Sequence, residues 1–91
     1  MAQVVKSAES IQDQLDIALF ISRDSPESAR RLLKQFDEAL ELLAEFPGLG
    51  AIRDELEAGL RSYPVGKYLL LYRQIEGGVE LARVMHGNAL S

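Results

Sequence analysis

The chain has no cysteine among its 91 residues and a single histidine. Disulfides, cysteine-based zinc sites and thiolate catalysis are therefore excluded. One histidine alone cannot build a metal site or a Ser–His–Asp triad, so no metal and no cofactor is expected. No apolar run approaches the ~20 residues of a membrane span, and "MAQVVKSAES" lacks the long apolar core of a signal peptide. The expectation is a soluble, cytoplasmic protein with no membrane partner. A phosphate-binding glycine loop is missing too: "FPGLG" follows a helical pattern, whereas a phosphate cradle follows a strand and opens a helix.

What is present is a hydrophobic content of 47% and an uneven charge. The length suits one domain, 1–91, able to bury roughly 60–65% of its unfolded surface. The net charge of −4 is the sum of two unlike parts. Residues 1–60 carry 6 Lys/Arg against 12 Asp/Glu, and residues 61–91 carry 4 against 2. Overall acidity argues against non-specific nucleic-acid binding, which rests on phosphate neutralisation, and no direct sequence-specific nucleic-acid binding is expected either. A local basic face built from the last third stays open.

The order of elements reads β-α-α-β-β-β. "AQVVKSA" suits a short first strand. Ile11, Leu15, Ala18 and Leu19 then fall at helical spacing, and Ile17, Phe20 and Ile21 widen the apolar face, so this helix is expected to be buried on more than one side. "RDSPESA" opens a second helix, with Ser25 as N-cap, Pro26 at the first position and Glu27 where the dipole favours negative charge. Its apolar stripe runs through Ala29, Leu32, Leu33, Phe36, Leu40 and Leu43 to Phe46, and "FPGLG" stops it. "AIRDELEA" reads as a polar loop or a short helical turn. "GLRSYPV", "KYLLLYRQI" and "VELARVMH" then read as strands, parted at Gly66 and at Glu76–Gly77–Gly78. Pro64 belongs near a strand end or on an edge. The expected fold is α+β, a helical hairpin packed on an antiparallel β-sheet.

Candidate chemistry is confined to Arg61, Lys67, Arg73 and Arg83, on or between the strands, and His86 at the end of the last one. Such a set can run phosphodiester cleavage, with cations stabilising phosphate charge and a histidine, tyrosine or glutamate moving protons. The same residues can equally be strand cations that keep a sheet soluble. Tyr63, Tyr68 and Tyr72 read as packing residues of that sheet.

"ALELLAEFPGLG", "GLRSYPVGKYLLLYR" and "VELARVMHG" together closely resemble the RelE/ParE superfamily of type II toxin–antitoxin toxins, and favour its ParE branch. The resemblance covers nearly the whole chain. It implies a growth-inhibiting toxin neutralised by a cognate ParD-like antitoxin, with DNA gyrase as the poisoned target and no catalysis of its own. The RelE branch instead cuts mRNA in the ribosome, and typically carries an arginine three residues before the tyrosine that matches Tyr72. Here that position is Leu69, and the chain closes on "MHGNALS" rather than on basic residues with a tyrosine. A ribosome-dependent endoribonuclease using Arg61, Lys67, Arg73, Arg83 and His86 is thus the alternative, and a detoxified antitoxin-binding module a third reading. The antitoxin is expected on apolar surface of the hairpin, at Ile17, Phe20 and Ile21, with a strand or helix added to the sheet. The chain's pI near 4.9 departs from the basic character of many family toxins.

Overall fold

Two serines start the helices. The Ser7 hydroxyl accepts the Ser10 N–H (3.0 Å) ahead of α1 (Ala8–Ser22), and the Ser25 hydroxyl accepts the Ser28 N–H (3.1 Å) ahead of α2 (Pro26–Glu45). Five strands complete the fold of residues 2–90, which the computed structural model describes: β1 (Gln3–Lys6), β2 (Ala51–Ile52), β3 (Leu60–Val65), β4 (Tyr68–Ile75) and β5 (Gly78–His86). The hairpin turns lie where the glycines are, with positive φ at Gly66 and Gly77. One face of α2 presents Phe36, Leu40 and Leu43 to Leu70, Tyr72, Val79, Leu81 and Val84 of the sheet, forming the core.

The α+β class holds, with two differences in the sheet. It is mixed and five-stranded, in the order β1-β5-β4-β3-β2, because β1 runs parallel beside β5. Gly78 permits that approach: a Cβ there would lie 1.8 Å from the Gln3 carbonyl oxygen. In addition, the segment expected to be a polar loop contributes β2, which pairs Ala51 with Ser62 and Ile52 with Arg61.

The expectation for α1 is corrected. Its buried residues are Ser10 and Gln14, while Ile11, Leu15, Leu19 and Phe20 are exposed, the last two 65% each. Polar anchors set the rotation of this helix. β5 carries a bulge at Ala82, since Leu71 pairs with Arg83 but Tyr72 with Leu81. The Ser7 hydroxyl donates to the freed Ala82 carbonyl (2.7 Å), and the Val84 N–H donates to the Asp13 carboxylate (2.9 Å). With Ser7 and Asp13 tied to β5, Ser10 faces inward, its own hydroxyl donating to the Ser7 carbonyl (2.9 Å). Hydrophobic periodicity placed the apolar stripe on the helix correctly but could not say which way the helix turns.

Tyr72 joins the sheet to the end of α2. Its ring is fully buried, its Oη donates to the Pro47 carbonyl (2.7 Å), and it accepts the Gly50 N–H (2.8 Å). Any side chain at Gly50 would collide with that phenol, 2.5 Å from a Cβ. Tyr72→Phe leaves two loop groups unpaired and is expected to cost about 1–3 kcal/mol, read as a lower urea midpoint. Burial also lifts the phenol above its ordinary pKa of 10.0, outweighing the Gly50 hydrogen bond. A folded-state pKa above the unfolded one means full stability below pH 10 and loss as pH rises past it. That alkaline loss is expected to shrink in Tyr72→Phe.

Candidate functional site

The structure separates the five cationic candidates. Residues paired across β3, β4 and β5 share a face, so Arg61 and His86 lie on the helix side with Tyr72 and Tyr68, whereas Arg73 and Arg83 lie on the opposite side with Leu60 and Leu71. Lys67 occupies the β3–β4 turn, and its carbonyl accepts the Gly87 N–H (2.8 Å). Arg73 and Arg83 together line one depression, a shallow hollow of about 460 Å³ with Leu60, Leu71 and the carboxylates of Glu9, Glu57 and Glu80.

Each of those arginines is already matched to acid. Arg73 bridges Glu57 and Glu80, the latter at 2.9 Å. Arg83 grips Asp13 with two bonds of 2.7 and 3.0 Å. Arg61 donates to the Gly50 carbonyl (2.9 Å), closing the loop that Tyr72 holds, and makes no ion pair with Asp54 or Glu55. His86 packs edge-on against Tyr68, with ring centres 5.6 Å apart, and its Nδ1 accepts the Asn88 N–H (3.1 Å). Leu69, where an arginine would bring a phosphate contact, sits half-buried between Met85 and Pro64 on the face with Arg73. Among the described residues the arrangement offers the ion pairs of a folded surface and no convergence of free cations.

The unpartnered surface lies elsewhere. Along α1, Ile11, Leu15 and Leu19 stand at i, i+4 and i+8, and a groove of about 250 Å³ between α1 and α2 is lined by Ile11, Leu15, Leu33 and Gln14, with the Lys6–Asp37 ion pair at its side. Phe20 extends the exposed stripe. Ile21 is half-buried and Ile17 packs against the core, so of these three sequence candidates Phe20 is the one left open. Sequence reasoning passed over Ile11, Leu15 and Leu19 as contact residues because their spacing is equally that of a buried stripe. A second exposed set, Leu42, Phe46, Leu49, Ile52 and Leu56, follows the end of α2 into β2 and the loop beyond.

A helical hairpin on a mixed sheet, with the Pro47–Gly50 loop locked by a buried tyrosine, has counterparts among known proteins. The family described as the ParE toxin of type II toxin–antitoxin system, parDE, matches residues 4–90. The chain belongs to this ParE toxin family. It is 33% identical over 76 residues to Y4kP of Sinorhizobium fredii, covering 80% of this chain and 75% of that one. It is also 33% identical over 60 residues to Toxin ParE1 of Caulobacter vibrioides, covering 66% and 62% of the two. A solved structure titled "Chromosomal ParDE TA system from P. aeruginosa" shares the fold with a TM-score of 0.76 at 17% identity, over 94% of this chain and 96% of that one. No helix among the described residues is long and apolar enough to cross a membrane.

The Asp13 anchor is testable in this ParE-family toxin. Its hydrogen bond with Arg83 holds the carboxyl below its ordinary pKa of 3.8, burial opposing and the Val84 N–H assisting. A depressed folded-state pKa gives stability that is present above pH 3.8 and lost as pH falls through the folded value. Asp13→Ala also leaves the Val84 N–H unpaired, and is expected to cost about 1–3 kcal/mol at pH 7. Urea titrations at pH 7 and below pH 4 are expected to show the difference between mutant and parent narrowing in acid.

Proposed function

We propose that this chain inhibits bacterial growth by binding and poisoning DNA gyrase, without catalysis, and is neutralised by a ParD-like antitoxin seated on α1. The observation that carries the antitoxin half is the exposed Ile11–Leu15–Leu19 stripe beside its groove, which fits the apolar face of an amphipathic helix. Membership of the ParE family, and the ParDE title of the structural neighbour, support an antitoxin of the ParD kind. The gyrase half rests on the branch to which the sequence belongs. A binding mechanism is favoured over RNA cleavage because Arg73 and Arg83 are neutralised by Glu57, Glu80 and Asp13.

Induction in a bacterial host is expected to give filamentous cells and a DNA-damage response while translation continues, and micromolar purified protein is expected to inhibit gyrase supercoiling. A prompt fall in translation with cut ribosome-bound mRNA, abolished by Arg73→Ala with Arg83→Ala, would instead establish the endoribonuclease. An absence of growth defect together with tight antitoxin binding would leave the detoxified module. Leu15→Asp with Leu19→Asp is expected to weaken the antitoxin by roughly a hundredfold or more, measured by calorimetric titration.

A further inference from the structure

The exposed large hydrophobic residues of the described chain fall in two segments, α1 and residues 42–56, and none lies on β3, β4 or β5. α1 itself holds Glu9, Asp13 and Asp16 and no lysine or arginine. Beside the hairpin connection, Arg23, Arg30, Arg31 and Lys34 make no ion pair among the described residues. From Glu38 to Glu57, by contrast, six carboxylates share the stretch with Arg53, which pairs with Glu55, while Arg73 from β4 takes Glu57. Glu38 and Glu45 flank Leu42 on the surface of α2, at i−4 and i+3.

This acidity works against the helix that bears it. Glu45 closes the last turn of α2, with no basic residue there, where the dipole is negative and such a charge is unfavourable by about 0.3–1 kcal/mol. Local stability therefore does not account for the charge. Nor is the segment loose, since Tyr72 and Arg61 clamp its Pro47–Gly50 portion to the sheet. A rigid apolar surface with a carboxylate rim is suited to a protein partner with an apolar anchor and a lysine- or arginine-rich rim. It is unsuited to a second copy of itself, which would bring acid against acid.

We infer that residues 42–56 form a second docking surface, separate from the α1 groove, through which the toxin grips its target protein. The carboxylates around it favour a partner that brings a basic rim to the Leu42–Leu56 patch. This rests on the toxin reading and adds where the target binds.

The deciding variant is Glu38→Lys with Glu45→Lys. It reverses the two charges that flank Leu42 while relieving the dipole conflict at Glu45, so its melting temperature is expected to equal or exceed that of the parent. Growth arrest on induction is expected to need roughly tenfold more protein. Phe46→Ser with Leu49→Ser, whose fold is checked by circular dichroism, is expected to show the same loss. Asp24→Lys with Glu76→Lys makes an equal charge change away from the patch and is expected to arrest growth as the parent does. Folded patch variants that arrest growth like the parent would overturn the proposal, as would an equal loss in the Asp24/Glu76 control. A parent chain that arrests nothing would overturn it together with the toxin reading. Supercoiling assays with purified gyrase separate the two claims: arrest that depends on the patch while gyrase is unaffected supports the surface and rejects gyrase as its partner.

Discussion

Much of this fold hangs on one buried phenol. Tyr72 comes from the middle of the sheet, yet its oxygen satisfies a carbonyl and an amide of a loop more than twenty residues earlier. A buried hydroxyl with both partners in place holds that loop far more firmly than packing alone, because moving it would strand polar groups in an apolar interior. Gly50 is required for the contact, and Arg61 seals its far side by taking the Gly50 carbonyl. The end of α2, the short β2 strand and the exposed Phe46, Leu49 and Ile52 are all placed by this knot. These exposed side chains are thereby held in place by contacts within the chain itself.

A second polar device acts at the opposite edge. The bulge at Ala82 frees backbone groups of β5, and Ser7 and Asp13 take them. This sets the rotation of α1, turning serine and glutamine inward and a leucine stripe outward. The arrangement forgoes apolar burial, and a core of this size has little to spare. Such exposure fits a protein whose partner supplies the missing contact, and whose stability rises when that partner binds.

Electrostatics separates recognition from catalysis here. The arginines that suggested phosphate chemistry are distributed over two faces and, where they meet, are matched by carboxylates. Excess negative charge instead gathers over residues 38–57, beside the second exposed apolar set. Charge kept where it opposes a helix dipole points to demands made by a partner rather than by the fold.

Local chemistry was legible in the residues themselves: Ser25 and Pro26 open α2, the glycines place both hairpin turns, and "YPVGKYLLLYR" forms the β3–β4 hairpin with alternate residues in the core. These features depend on neighbours within a few positions, and periodicity reports them directly. The family was legible too, through Pro47–Gly50 and the strand motifs. Tertiary structure alone determined the parallel seat of β1, the outward face of α1 and the fate of the arginines. Arg83 meets Asp13 across 70 positions of sequence, and Arg73 meets Glu57 across 16. No local period encodes such pairings: each requires the sheet to be closed before the two charges can be neighbours, so whether a cation is free or already matched became visible only in the folded chain.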